Sequence, residues 1–202
     1  MLFSYEHLIK LTMMRSDKTL LITLLLYCIS VSANSQSSND IGERNIKSVY
    51  TVTNDQRKGQ QVIKSNLTRY DSKGNAVEII DFNADSIIVS HEKFKYNKNS
   101  DEIENTILDS LGNTVRKIVT EYDKWKNVTA KFTYDKSGLL IEKTVLNYNN
   151  SNDKTAETTF DKDGKSIRKI VYEYDNKGMM INRKTYNEKN ELIYSRSYFY
   201  EY

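Results

Sequence analysis

From residue 61 to the C-terminus, strand-favouring residues come in runs of eight or ten, and four turn-favouring residues separate each run from the next. The runs are rich in Val, Ile, Thr, Tyr and Phe and alternate apolar with polar positions, as half-buried strands do. Each run ends on an aromatic residue, once on a leucine: Tyr70, Phe82, Tyr96, Leu108, Tyr122, Tyr134, Tyr148, Phe160, Tyr174 and Tyr186, with Tyr200 closing the series. The steps alternate between 12 and 14 with no insertion. Residues 70–199 are therefore five copies of a 26-residue unit, and Ile63 and Leu67 fall in the apolar columns of a sixth. A fixed period of this size marks a repeat architecture.

The tetrapeptides define the unit. Asp71–Gly74, Asp109–Gly112, Asp135–Gly138, Asp161–Gly164 and Asp175–Gly178 open on aspartate and close on glycine, while Asn97–Ser100 and Asn187–Asn190 use asparagine first. Asp or Asn suits the first position of a type I turn, and Gly or Asn tolerates the left-handed fourth position. A type I turn with such a residue closes a hairpin through a bulge. The chain has no proline, so no ladder donor is missing.

The predicted fold is all-β: an antiparallel meander of about a dozen strands, two per unit, in an elongated, twisted single-layer sheet, open or curled. With a bulged turn Tyr70 falls opposite Ala76, and because both steps are even, even-numbered residues are expected to share one face throughout. Neither face is then cleanly apolar. A charged fraction of 28% and a mean hydropathy of −0.66 oppose a two-sheet sandwich with a thick core.

The N-terminus reads differently. Leu20–Val31 is a short, predominantly apolar run, preceded by Arg15 and Lys18 and followed by Val31-Ser32-Ala33. It is too short to span a bilayer, which takes about 20 residues, and it has the layout of a secretory signal peptide cleaved after Ala33. Met13 or Met14 would be a more ordinary start than Met1. Tyr27 is not the small residue that precedes a lipid-modified cysteine, which opposes a lipoprotein reading of Cys28. The expected organisation is a signal peptide over 1–33, a flexible mature N-terminus over 34–44 and a β-hairpin repeat domain over 45–202.

Removing residues 1–33 takes away the only cysteine, so an exported chain carries no disulfide. Of 30 basic and 27 acidic residues, Lys10, Arg15, Lys18, Glu6 and Asp17 leave with it, and 27 basic against 25 acidic remain. That near-neutral balance excludes the electrostatic footprint of a nucleic-acid binder. The expected location is the periplasm, outer surface or extracellular space of a bacterium, with no transmembrane helix in the mature chain.

The motif Tyr-Asp-x-x-Gly at Tyr70–Gly74, Tyr134–Gly138 and Tyr174–Gly178, with Phe-Asp at Phe160–Gly164, resembles the YD or RHS repeat over residues 70–202. In that family similar hairpins form large β-shells of toxins and adhesive surface proteins. Here the period is shorter, about five units are too few to close a shell, and no self-cleaving core follows. The resemblance implies hairpin repeats and a secreted setting, without a toxin cargo. A MORN-type reading is weaker, with only 7 glycines in the chain.

No residue pattern points to catalysis or to a cofactor. Calcium needs six to eight converging oxygens, whereas successive turns alternate between opposite ends of the strands, so Asp161 and Asp163 read as turn caps. Glu102 and Glu104 read as a solvated face rather than a glycosidase pair, since other units carry Val128 and Ala130 or Lys154 and Ala156 there. His91 stands in the column of Lys117, Lys143 and Lys169, reads as exposed, and makes neither a triad nor a zinc site alone. Trp125 lies in the turn Asp123–Lys126, which has lost its glycine, and is a candidate contact for a ligand or partner. The final segment Leu192–Tyr202 carries one Arg, one Glu, no proline and no glycine, the composition of an unprotected edge strand.

The reading is therefore an exported, non-catalytic binding or structural protein. Candidate partner-binding residues are Trp125, Tyr194, Tyr198 and Tyr200. The partner is a protein or glycan of the cell envelope, or a second copy joined through edge strands. An outer-membrane β-barrel is the competing class. It is opposed by Lys117, Lys143 and Lys169 on one face and Arg116, Glu142 and Arg168 on the other, since a mid-bilayer Lys or Arg costs about 2–4 kcal/mol. An accessory to a carbohydrate-active enzyme is a further alternative.

Overall fold

The computed structural model describes residues 38–55 and 62–201. The expected signal peptide and residues 34–37 of the expected flexible segment lie outside the described residues. A short helix α1 (Ser38–Glu43) precedes twelve strands: β1 (Ser48–Asp55), β2 (Val62–Tyr70), β3 (Ala76–Phe82), β4 (Ile88–Tyr96), β5 (Glu102–Leu108), β6 (Thr114–Tyr122), β7 (Val128–Asp135), β8 (Leu140–Tyr148), β9 (Lys154–Asp161), β10 (Ser166–Tyr174), β11 (Met180–Asn187) and β12 (Leu192–Ser197). They form one antiparallel sheet in chain order, with β1 and β12 at its two edges, so the sheet is a meander and not a closed barrel. The all-β repeat fold is as the sequence predicts.

Ten hairpins from β2 to β12 share one turn. The N–H of the fourth residue donates to the carbonyl of the first at 3.0–3.1 Å, and the N–H of the first donates to the carbonyl of the fifth at 2.9–3.0 Å. The fourth residue is left-handed every time, from φ 60° at Ser86 to φ 85° at Gly112. The first residue's Oδ1 accepts the N–H groups of the third and fifth residues at 2.8–3.0 Å in all ten turns.

Tyr70 pairs with Ala76 as the bulged turn requires, but the next pair is Arg69 with Glu78, which leaves Val77 without a partner. The same shift occurs beside the marker residue of every one of the ten hairpins. A second bulge therefore follows the turn, and its extra residue exchanges odd for even numbering across each hairpin. The expectation that even-numbered residues share one face is corrected: faces swap parity at every strand. The positions without a partner are Val77, Val89, Ile103, Val115, Thr129, Ile141, Thr155, Ile167, Ile181 and Ile193, all β-branched.

With the parity exchanged, the markers divide by face. Tyr70, Tyr96, Tyr122, Tyr148 and Tyr174 share one face with Ile118, Leu146, Ile170 and Tyr172. Phe82, Leu108, Tyr134, Phe160 and Tyr186 share the other with Ile80, Ala130 and Phe132. On the first face a tyrosine hydroxyl donates to the carbonyl 20 residues earlier: Tyr96 to Ala76, Tyr122 to Glu102, Tyr148 to Val128, Tyr174 to Lys154 and Tyr200 to Met180, at 2.7–3.0 Å. Each of those carbonyls precedes the unpartnered residue of a bulge, where the ladder is locally broken and a backbone acceptor needs another donor. This accounts for a column that is tyrosine in all six members from Tyr70 to Tyr200, while the other column accepts Phe and Leu.

The buried residues are few and lie on both faces: Ile80 and Ala130 on one, Thr120, Thr159, Ile170 and Tyr172 on the other. Residues 38–43 are helical, Ile41 is 3% exposed, and left-handed Asn45 (φ 52°) ends the helix. The helix seats on the turn Asp71–Gly74, where a Cβ on Gly74 would lie 1.8 Å from the Ser38 carbonyl oxygen.

Two outcomes test this account. Tyr122→Phe should lower stability in urea by about 1 kcal/mol, the value of one hydrogen bond. Tyr134→Phe, in the column where Phe82 and Phe160 already stand, should change it by less than about 0.5 kcal/mol; equal losses would refute the hydroxyl's role. Deleting the segment 122–147, one whole unit, should leave a folded, shorter sheet by circular dichroism. Deleting only its first half, the segment 122–134, should not, because that breaks the alternation of short and long steps.

Candidate functional site

The turns occupy two ends of the sheet. Those at 71, 97, 123, 149 and 175 share one end, and those at 83, 109, 135, 161 and 187 the other. Neighbours at one end touch: Lys73 Nζ reaches the Lys98 carbonyl at 2.7 Å, and Asn127 Nδ2 reaches Asn152 Oδ1 at 3.2 Å. Asp161 directs Oδ1 at its own turn, while Asp163 faces Lys162 at 3.0 Å. The turn carboxylates are engaged as caps and ion pairs. Among the described residues no group of three or more His, Cys, Asp or Glu is placed to hold a metal.

His91 is not exposed as expected. Its side chain is 12% exposed, and Nε2 lies 2.8 Å from Glu78 Oε1. Arg69 also pairs with Glu78, and Lys93 approaches it at 3.6 Å. The parity exchange puts these four on one face. Burial pushes the Glu78 carboxyl up, but His91 and Arg69 together hold it below its ordinary range. Glu102 and Glu104 are half-buried rather than solvated; Glu104 pairs with Lys95 at 2.7 Å, and burial pushes Glu102 up.

A second cluster on the tyrosine face has no clear signal in the sequence. Glu157 Oε1 accepts the Tyr172 hydroxyl at 2.7 Å and pairs with Lys154, whose Nζ lies 4.7 Å from the centre of the Tyr172 ring. Burial raises the Glu157 carboxyl, but Lys154, Tyr172 and Arg183 outweigh it and leave the group low. A carboxylate held ionised by its donors has little affinity for a proton, so the arrangement is a fixed polar link across β9 and β10. Its only forewarning is the column Ile79, Asn105, Lys131, Glu157 and Arg183, which has no constant character.

The predicted partner-binding residues fall in two places. Trp125 projects from its turn at 62% exposure, with Lys124 Nζ 4.2 Å from the ring centre. It is five strands from β12, about 24 Å at 4.8 Å per strand, so it shares no site with the C-terminal tyrosines. All six residues of β12 are exposed. Tyr194 is 43% exposed and lies 5.9 Å from the Arg196 guanidinium; Arg196 is held in its charged form by Tyr198 and then Tyr194. The Tyr198 N–H bonds the Ile181 carbonyl at 3.0 Å. Tyr200 is committed to the Met180 carbonyl, which makes it a structural residue first. Sequence reasoning passed over Val52 and Phe199, which are 60% and 92% exposed near the two edges.

No family model matches the chain, and no curated protein does. Among solved structures it is similar to a porin-like protein from Bacteroides uniformis ATCC 8492, at 15% identity over 70% of this chain and 56% of that one, with a TM-score of 0.43. It is also similar to a chain of the Photorhabdus luminescens Tc holotoxin pore, at 14% identity over 82% and 10%, with a TM-score of 0.31. A protein of unknown function from Bacteroides fragilis NCTC 9343 shares 14% identity over 77% and 96%, with a TM-score of 0.19. The chain spans about half of the first and a tenth of the second. No described helix is long and apolar enough to cross a membrane.

The turn and cross-strand carboxylates predict acid lability. Backbone and side-chain donation from Asn113 lowers Asp109; Ser137 and the Leu139 N–H lower Asp135; Glu78 and Glu157 are also low. Their folded pKa values lie below the unfolded ones, so their stabilisation is full above the unfolded values and disappears as pH falls through the folded ones. The thermal midpoint should therefore fall between about pH 5 and pH 3. The double variant Asp109→Asn, Asp135→Asn keeps the turn acceptor and should lose less over that interval. A parallel decline in both proteins by circular dichroism would remove the turns from the explanation.

Proposed function

We propose that this chain is an exported, non-catalytic binding or structural repeat protein of a bacterial envelope or surface. It works through the free edge of its sheet at β12, which recruits a partner by strand addition. The observation that carries this is the state of that strand. Among the described residues nothing pairs with its outer edge, all six of its residues are exposed, and it has no proline or glycine to discourage pairing. Tyr194, Arg196 and Tyr198 supply side chains of the kind that dominate recognition surfaces. The export layout of residues 1–33 supports the location, and the Tyr-Asp-x-x-Gly turns support a relation to YD-type surface repeats. A barrel in the outer membrane is less favoured, because the described sheet has two open edges and carries charge at mid-strand on both faces.

The test is a variant with charge at both tyrosines, Tyr194→Glu and Tyr198→Glu, used as bait against the native envelope. The parent should capture a component that the folded variant loses by about tenfold or more. Undiminished capture by the variant would show that the C-terminal edge is not the site.

A further inference from the structure

One column of the sheet is left incomplete at the C-terminal edge. Asn66, Glu92, Ile118, Thr144, Ile170 and Arg196 stand one repeat unit apart on the tyrosine face, at the same place in β2, β4, β6, β8, β10 and β12. The first five sit opposite Asp81, Ile107, Thr133, Thr159 and Thr185 of the strand that follows. Every polar member among them bonds a side chain of that following strand. Asn66 Nδ2 donates to Asp81 Oδ1 at 2.6 Å, Glu92 Oε2 accepts from Asn105 Nδ2 at 2.8 Å, and the Thr144 and Thr159 hydroxyls meet at 3.2 Å. Ile118 and Ile170 are apolar and need no such bond. Arg196 is the sixth member, and among the described residues no strand follows it.

The strand before Arg196 does not supply what it lacks. β11 sets Arg183 directly opposite, and like charges in that position destabilise a strand pair. Arg183 Nε is itself buried without a hydrogen-bond partner. On the same face of β12, Tyr194 and Tyr198 flank Arg196, and the Tyr194 ring lies 5.9 Å from its guanidinium, but neither brings a negative charge. The carboxylates of the neighbouring strands are engaged elsewhere. Glu157 holds Lys154 and the Tyr172 hydroxyl, and Glu173 pairs with Lys184 on the other face. An exposed guanidinium at mid-strand, with its column partner missing, is the complement of a carboxylate, which it binds through two parallel N–H bonds.

We propose that the strand recruited at the β12 edge belongs to a partner protein and places an aspartate or glutamate opposite Arg196. This rests on the reading of β12 as the working edge and adds its selectivity. The backbone bonds of strand addition are blind to sequence, whereas a pair between Arg196 and a carboxylate fixes both the register and the choice of strand. The carboxylate also offsets the repulsion between Arg183 and Arg196. Tyr194 and Tyr198, on either side, exclude water from the pair.

The chain itself contains a probe. Asp81 of β3 already pairs with this column, at Asn66, so a labelled peptide of residues 75–83 added to β12 in the internal register sets Asp81 opposite Arg196. Fluorescence anisotropy with the purified full chain should show saturable binding. Asp81→Asn in the peptide and Arg196→Gln in the protein should each weaken it by about tenfold or more. Glu78→Gln in the peptide, on the other face, should change it little. Arg196→Asp in the protein should abolish binding of the parent peptide and recover it with the Asp81→Lys peptide. No binding of the parent peptide at high micromolar concentration overturns the proposal, as do equal losses from Asp81→Asn and Glu78→Gln, or a charge swap that fails in a protein still folded by circular dichroism. Self-association of the chain in sedimentation velocity that Arg196→Gln leaves unchanged would put a second copy on the edge, and overturns it too. If binding is lost in the Tyr194→Glu, Tyr198→Glu variant but is indifferent to Asp81→Asn, this inference fails and the edge reading survives. If envelope capture is also indifferent to those tyrosines, the edge reading fails with it.

Discussion

One side-chain oxygen, placed ten times, governs this sheet. The Oδ1 of the first turn residue accepts two backbone N–H groups and so closes each reversal in a single way. A single layer needs this, because it has no second sheet to choose the register for it. Among the described residues no large side chain is fully buried, and the few buried positions are spread over both faces. Where register is not set by a buried face it must be set by the turn. The local bonds also allow the left-handed fourth position to be Ser86, Ser100 or Lys126, where a side chain costs about 1–2 kcal/mol relative to glycine. Two capping bonds of about 1 kcal/mol each offset that.

The turn then imposes a second condition. Six turns add a side-chain bond between the first and fifth residues, and each joins one amide to one carboxylate: Asp71 with Asn75, Asn97 with Asp101, Asp109 with Asn113, Asp123 with Asn127, Asn149 with Asp153, and Asn187 with Glu191. The order reverses between turns while the complementarity holds: an amide N–H donates to a charged oxygen, a stronger bond than amide to amide, and two carboxylates would repel. Beyond the fifth residue comes the bulge. Its β-branched residue suits an extended backbone without a partner opposite, and at one end of the strands the tyrosine from the adjacent hairpin bonds the carbonyl before it. Turn, bulge and tyrosine form one nearest-neighbour unit, and the sheet is that unit repeated.

The turns, the strand limits and the all-β meander were legible because Asp or Asn, Gly and the aromatic marker are local signals at fixed spacing. The faces were not. A one-residue bulge has no turn chemistry to announce it, and it reverses every assignment downstream. Its trace was present as ten β-branched residues, one at the same place after each turn. The tyrosine ladder was likewise present as six tyrosines spaced one repeat unit apart, hidden by reading both ends of the strands as one series. His91 was misjudged for the same reason: its pairing with Glu78 requires odd and even residues to share a face. Trp125 was correctly placed in its turn. The link among Lys154, Glu157 and Tyr172 was illegible, because a column that changes from Ile79 to Lys131 to Arg183 predicts no partner.

Strict repetition also limits where function can be written. A column occupied alike in every unit stabilises every unit alike, so Asp at the turn and Tyr at the strand end describe the scaffold. Specific recognition needs a position where the period is broken. Three breaks stand out among the described residues. Trp125 replaces a polar turn residue, and the neighbouring fourth position has become Lys126. Glu157 and its donors occupy an inconstant column, yet they satisfy one another and leave little to offer a ligand. At the C-terminal edge the charged column of Arg69, Lys95, Glu121 and Glu173 ends on Phe199, which is 92% exposed. Isolated exposed apolar residues are ordinary on a protein surface. Phe199 differs because it ends a column that is polar in every other unit, just past β12, whose outer edge is paired with nothing among the described residues. Of the three breaks, only the last joins side-chain and backbone demands at the same place.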